Sequence, residues 1–337
     1  MPDPLTPGLL NSAAPRSLLA APDDTPRVVF MGTPDFAVPS LDALVAAGLA
    51  PAAVVTVPDK PAGRGMSLQT SAVKDAAARH GLPVLQPESL RDPAFVGALR
   101  DLAPDVIAVV AFRILPPEVY GTARLGAFNL HGSLLPAYRG AAPIARALMD
   151  GVPETGVTTF LLKPSVDTGD VILRVPTPVG PDETAGDVHD RLAALGADAV
   201  VETVRRLAAG TATPEAQDDA LASPAPKLSR EVARVDWTHP ATRVHDHIRA
   251  LSPFPGAWTT WRGELLKVLR TAVETADGAA GAPGEIVRAE GGPDGALVVA
   301  CGAGTVRLLE VQREGRKRMP AGAFLAGADL APGERLH

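Results

Sequence analysis

Cysteine is almost missing from this chain: Cys301 is the only one in 337 residues. A single thiol excludes an intrachain disulfide and a multi-cysteine zinc cluster, and it fits a reducing, cytoplasmic setting. Aromatic residues make up 4% of the chain, with two tyrosines and three tryptophans, too few to suggest a surface built for extensive base stacking. No stretch of 18 or more uncharged apolar residues occurs, so no transmembrane helix is expected. Residues 1–26 lack the positive start and unbroken apolar core of a secretory signal, because Pro7, Asn11, Pro15 and Arg16 interrupt each apolar stretch. They read as a flexible extension. The turn Gly32-Thr33-Pro34-Asp35-Phe36 has one glycine where a dinucleotide-binding turn has three, and no G-x-x-x-x-G-K-[ST] loop is present. Binding of NAD or ATP through such loops is therefore unsupported.

What is present is an ordinary globular composition, 46% hydrophobic and 21% charged. The 34 prolines and 32 glycines follow no period and mark turns. The length exceeds the usual span of one domain, about 100 to 200 residues, so two domains are expected. From residue 27, β-rich runs at 28–31, 52–57, 83–85, 106–110 and 127–130 alternate with helical stretches, the first at 35–47. Continuous apolar strands joined by helices predict a doubly wound α/β domain with a parallel sheet covered on both faces. Further extended runs at 157–162 and 171–175 precede a long helix, whose start is marked by a capping box of Thr184 and Asp187. Residues 211–226 have the Pro, Ala and acidic content of an exposed linker. After them, a helix at 241–251 precedes runs at 258–261, 265–269, 284–287, 297–301 and 305–311 with Gly-rich turns and no long helices between them, the pattern of a small β-barrel. The expected divisions are thus 1–26, 27–210, 211–226 and 227–330.

The net charge of -6 argues weakly against a nucleic-acid partner, but it is unevenly spread. Residues 1–226 carry -8 (17 basic, 25 acidic) and residues 227–337 carry +2 (15 basic, 13 acidic). Within 307–318, five basic residues, including Arg316, Lys317 and Arg318, stand against Glu310 and Glu314. On charge alone such a cluster is usually a solvated face.

Chemistry is concentrated in two segments. A strand ends at Asn129 and releases Asn129 and His131 into a loop at its carboxyl end, where open α/β sheets place ligands. Residues two apart on extended chain point the same way, so an amide and an imidazole can address one oxygen, as suits a tetrahedral intermediate. Taken alone, a histidine after a strand is more often structural. The second segment, Asp167-Thr168-Gly169-Asp170, brings carboxylates into a turn. An aspartate beside an imidazole favours its charged form and orients the ring; taken alone, the segment is equally an Asx-type turn.

Together, Asn129, His131-Gly132-Ser133-Leu134-Leu135-Pro136, Arg139-Gly140-Ala141-Ala142-Pro143-Ile144 and Asp167-Thr168-Gly169-Asp170 resemble the folate-dependent formyltransferase family. Lys227-Leu228-Ser229, Asp236-Trp237 and the loop from Pro58 to Gly65 match as well, so the resemblance runs from about residue 27 to about residue 324. It implies a Rossmann-like catalytic domain followed by an OB-like barrel. It further implies transfer of a formyl group from 10-formyltetrahydrofolate to the α-amino group of methionine esterified to initiator tRNA, with no metal. By the same resemblance Asn129, His131 and Asp167 are catalytic, and Ser133, Leu134, Leu135 and Pro136 with Arg113, Ile114 and Leu115 bind folate. Arg64, Arg316, Lys317 and Arg318 are the expected tRNA contacts. A cytoplasmic monomer is expected. Two departures stand out: Lys163 places a positive charge near Asp167 where the family commonly has an acidic residue, and the loop after Arg64 lacks the family's additional lysines. The rival readings are a formyltransferase for an amino sugar nucleotide and a non-enzymatic folate- or RNA-binding module. Retention of Asn129, His131 and Asp167 speaks against the second.

Overall fold

A computed structural model describes residues 25–62, 67–292 and 295–337. Most of the expected N-terminal extension, and Arg64, lie outside the described residues.

The first domain is built on a seven-stranded sheet. Its strands are β1 (Val28–Gly32), β2 (Ala53–Val55), β3 (Val84–Leu85), β4 (Val106–Val110), β5 (Gly126–His131), β6 (Glu154–Leu161) and β7 (Val171–Pro178), in the spatial order β7-β6-β5-β4-β1-β2-β3. The five strands from β5 to β3 are parallel, whereas β6 and β7 join antiparallel. The sheet is covered on both faces because successive residues of a strand point opposite ways. Val28 and Phe30 enter one core, with Leu41, Leu44 and Leu192, while Val29 and Met31 enter another, with Phe95, Leu99 and Val119. Strand β4 divides its residues in the same way.

The helix expected at 35–47 is broken into a 3-10 turn, Asp35–Ala37, and helix α1, Val38–Ala46. Pro39 is tolerated in that first turn because its missing N–H has no intrahelical partner to lose. The other helices of the domain are α2 (Ala72–Arg79), α3 (Pro93–Leu102), α4 (Pro117–Tyr120), α5 (Pro143–Met149) and α6 (Ala185–Ala209). The capping box of Thr184 and Asp187 starts α6, and Gly210, at φ 66°, ends it in the left-handed conformation. At Gly196 the helix crosses β5 so closely that a Cβ would meet a Leu130 methyl at 2.5 Å.

The second domain opens with helix α7 (Ala241–Ala250) and continues as β8 (Ala257–Trp261), β9 (Glu264–Thr275), β10 (Ile286–Ala289), β11 (Leu297–Ala300), β12 (Thr305–Arg313) and β13 (Met319–Pro320), with helix α8 (Ala321–Leu325) last. The strands pair antiparallel in the order β8-β9-β12-β11-β10, and β13 pairs with β12. Closure comes from residues beyond the expected boundary at 330. Thr260 and His337 exchange backbone hydrogen bonds of 2.8 and 2.9 Å, and the Leu336 N–H reaches the Gly284 carbonyl at 2.9 Å. The same segment therefore satisfies backbone groups at both edges of the sheet. Cys301 lies in this core, 2% exposed, and burial pushes its thiol up to about 12.

The domains are packed against each other. Met149 touches both cores. Arg249, 5% exposed, bonds Asp246 at 2.7 Å and the carbonyls of Gly180 and Glu183 at 3.2 and 3.1 Å. Residues 211–226 are mostly exposed, as their composition predicts, but they are not slack. Glu215 and Val171 exchange backbone bonds of 2.7 and 2.8 Å, and Pro224–Ala225 pairs in parallel with Arg139–Gly140.

Candidate active site

The carboxyl end of β5 and the loop after β6 meet at one wall of a cavity of about 990 Å³. Asn129, His131 and Asp167 all line it. His131 is 6% exposed, and its ring is fixed from behind: Nε2 lies 2.8 Å from the Tyr138 carbonyl oxygen. A carbonyl only accepts, so Nε2 carries a proton and Nδ1 is the nitrogen left for chemistry. Nδ1 faces the Asp167 carboxylate at 3.8 Å, an ion-pair distance rather than a hydrogen bond. The carboxylate in turn accepts the Gly140 N–H at 2.9 Å.

Both anchors of the pair sit in unusual backbone. Tyr138 has φ 61° and Asp167 φ 55°, left-handed values that cost a non-glycine residue about 1–2 kcal/mol. Such conformations persist only where the surroundings fix them, and they cluster at functional sites. The surroundings here are specific. Tyr138 Oη donates to Asp150 at 3.0 Å, and burial together with that carboxylate raises the phenol to about 12. On the other side, Gln217 Nε2 donates to the carbonyls of Asp167 and Gly169 at 2.9 and 2.8 Å.

Lys163 does not pair with Asp167. Its Nζ lies 2.7 Å from Asp170, which takes up the charge. Arg113, Ile114 and Leu115 line the cavity. The Arg113 guanidinium turns away to the carbonyls of Glu88 and Pro87, at 3.0 and 2.9 Å, and burial lowers its pKa. Its side chain thereby braces the loop, and Ile114 is left 74% exposed.

Ser133, Leu134, Leu135 and Pro136, expected to contact folate, follow directly on His131 and Gly132 at the cavity wall. Their polar groups are committed inward. Ser133 Oγ donates to Ala137 O at 2.6 Å, Thr158 Oγ1 donates to Ser133 O at 2.7 Å and accepts from Leu135 N at 3.0 Å, and Arg174 Nε donates to Leu135 O at 2.8 Å. The segment is thereby tied to β6 and β7. Arg316, Lys317 and Arg318 are exposed at the tip between β12 and β13 and do not line the cavity. The second domain reaches the cavity elsewhere, through Leu228, Pro253 and Phe254. Phe254 is 84% exposed. Sequence reasoning missed it, although an aromatic between Pro253 and Pro255 is a local signal for a presented side chain. It missed Tyr138 and Gln217 as well; the first acts through a carbonyl and the second sits in a stretch that reads as linker. Among the described residues, no group of three or more His, Cys, Asp or Glu side chains could hold a metal ion.

Residues 26–204 match the family described as formyl transferase, and residues 227–329 match its C-terminal domain. The chain is 47% identical over 310 residues to methionyl-tRNA formyltransferase of Geobacter metallireducens, covering 92% of this chain and 98% of that one. It is 50% identical over 307 residues to the protein of the same name from Chlorobium phaeovibrioides, covering 89% and 95%. Among solved structures, HypX from Aquifex aeolicus in complex with tetrahydrofolic acid superposes with a TM-score of 0.61 at 19% identity, the match covering 90% of this chain and about half (47%) of HypX. The sugar 3N-formyl transferase WlaRD superposes with a TM-score of 0.61 at 16% identity, over 87% of this chain and all of that one (100%). At these identities the structural likeness concerns the fold.

Proposed function

This chain belongs to the formyl transferase family, and we propose on that premise that it transfers the formyl group of 10-formyltetrahydrofolate to the α-amino group of methionyl initiator tRNA. The observation that carries the acceptor is the 47–50% identity to methionyl-tRNA formyltransferases, which extends through both domains. An amino-sugar nucleotide as acceptor has only fold-level likeness behind it.

The cavity suits a folate donor. It is large and open, and its lining combines Phe112, Ile114 and Leu115 with the polar pair at its wall. In the proposed reaction the neutral amine attacks the formyl carbon. Asn129 and His131 stabilise the oxygen that becomes negative, by hydrogen bonds placed where the charge develops. Because Nε2 is held by Tyr138, the protonated ring donates to that oxygen from Nδ1, the nitrogen that also faces Asp167. Asp167 holds the ring, accepts the proton that the attacking amine loses and returns it to the folate nitrogen as the bond from that nitrogen to the formyl carbon breaks. Arg316, Lys317, Arg318 and Arg64 supply the charge expected to meet tRNA phosphates.

Labelled 10-formyltetrahydrofolate offered with methionyl-tRNA, and separately with amino-sugar nucleotide and glycinamide ribonucleotide acceptors, tests the assignment. Formyl transfer to methionyl-tRNA alone is expected. Its absence there overturns the reading, and normal turnover in Asp167→Ala removes Asp167 from the chemistry.

A further inference from the structure

Two contacts hold the catalytic pair from behind, and they come from residues on either side of Arg139. The Tyr138 carbonyl accepts from His131 Nε2 at 2.8 Å, and the Gly140 N–H donates to the Asp167 carboxylate at 2.9 Å. The separation of His131 and Asp167 therefore depends on where residues 138–140 lie relative to the turn that carries Asp167. One side chain spans that gap. Gln217 Nε2 donates to Asp167 O and Gly169 O at 2.9 and 2.8 Å, while its Oε1 accepts from Arg139 Nε and one terminal nitrogen at 3.1 and 2.8 Å. Four hydrogen bonds from one amide use both donors and both acceptor positions, the full capacity of a glutamine.

The surroundings set Gln217 apart from its neighbours. Residues 213–216 and 218–220 are all exposed, and Gln217 alone among 213–220 is half-buried. Asp219 adds a bond to Arg139 at 2.8 Å but is itself 82% exposed at the side chain. Pro224–Ala225, a few residues further on, pairs with Arg139–Gly140 so closely that a Cβ on Gly140 would meet the Ala225 carbonyl oxygen at 2.6 Å. The segment between the domains thus lies directly on the back of the site.

We infer that Gln217 is a positioning residue for the formyl transfer proposed above, fixing the distance between His131 and Asp167 by clamping the Arg139 segment to the Asp167 turn. The inference rests on that functional reading for its role in catalysis. The interdomain segment is then part of the active-site framework, tied to it by Gln217 and by the pairing of Pro224–Ala225 with Arg139–Gly140.

The test uses the full chain carrying Gln217→Glu and, separately, Gln217→Ala. Glutamate has the same shape and keeps the Arg139 contact, so this variant should fold, but it cannot donate and sets a negative charge against two carbonyl oxygens. The first readout is the 15N resonance of His131 Nδ1 in histidine-labelled protein at fixed pH, which needs no substrate. It is expected to move in both variants. The second readout is formyl transfer to methionyl-tRNA, where kcat is expected to fall roughly tenfold to a hundredfold, since small misplacements of reacting groups cost about that much. The KM values for donor and tRNA are expected to stay within about twofold, because Gln217 does not line the cavity. An unmoved His131 resonance in Gln217→Glu overturns the proposal, as does a kcat equal to that of the unaltered protein. If the unaltered protein itself fails to formylate methionyl-tRNA, the functional reading falls, and the resonance alone decides whether Gln217 sets the pair.

Discussion

Replacing Gly169 by alanine should abolish most activity without unfolding the protein, and the size of the effect follows from a close approach. A Cβ at Gly169 would stand 1.5 Å from the Leu161 carbonyl oxygen and 3.0 Å from the Phe160 ring. Both neighbours belong to β6, inside the sheet, and Phe160 is 1% exposed, so neither can give way. The turn itself must retreat by about 2 Å to restore ordinary packing. That retreat strains the bond of 2.9 Å from Leu161 N to Asp170 O and both Gln217 bonds, and it carries Asp167 with it. A misplacement of about 1 Å at a reacting group costs about a hundredfold in rate, so kcat should fall by at least about a hundredfold. Overpacking costs about 1–3 kcal/mol of stability, which a domain of ordinary stability survives. Steady-state formyl transfer with thermal unfolding in parallel reads both quantities. Gly97→Ala is the comparison, because nothing lies within 4 Å of its added Cβ inside α3; it should stabilise by about 0.5–1 kcal/mol and leave the rate alone. A Gly169→Ala enzyme with unaltered kcat would refute the argument that this turn is fixed in place by β6.

Three further outcomes are expected. Arg249→Met leaves Asp246 and two carbonyls without their buried partner, and should cost about 3–5 kcal/mol, visible as a lowered melting temperature. Glu334 is held down to about 2, from an ordinary 4.5, chiefly by its hydrogen bond to the Arg262 guanidinium and next by the Ala331 N–H. A depressed carboxyl stabilises the folded state above its ordinary pKa and loses that contribution as pH falls through its folded value. Stability of the barrel should therefore decline between about pH 4.5 and 2 and Glu334→Gln should flatten that part of the curve, as followed by Trp fluorescence. Reversing the charges of Arg316, Lys317 and Arg318 should raise the KM for tRNA and reduce the slope of its salt dependence by about one for each phosphate no longer neutralised; an unchanged slope would leave those side chains facing only water.

The parallel half of the sheet was legible because its strands are continuous apolar runs, and runs such as 28–31 and 106–110 admit few other structures. The long helix was legible from its capping box. The antiparallel course of β6 and β7 was not, since strand direction is set by pairing and leaves no mark on a run of valines and threonines. That Asn129, His131 and Asp167 belong to one site could be read because they are polar side chains in a recognisable order, and they line one cavity. The groups holding them could not. Tyr138 and Gly140 contribute a carbonyl and an N–H, which nearly every residue has, and Gln217 is one polar residue in a polar stretch. How the Ser133–Pro136 segment is held could not be read either, because Thr158 and Arg174, which come later in the chain, take up its backbone groups. Lys163 was expected to set its charge near Asp167, and only the folded turn shows that Asp170 takes it up.

The single thiol has a use of its own. Cys301 is 2% exposed with its ionisation pushed up to about 12, so maleimide dyes will pass it by in the native protein. Arg91→Cys in the first domain and Glu264→Cys in the second, at side chains 74% and 62% exposed, would then be the only reactive positions. Donor and acceptor fluorophores placed there report the distance between the domains in single molecules, with and without tRNA, and no native cysteine has to be removed to make the measurement.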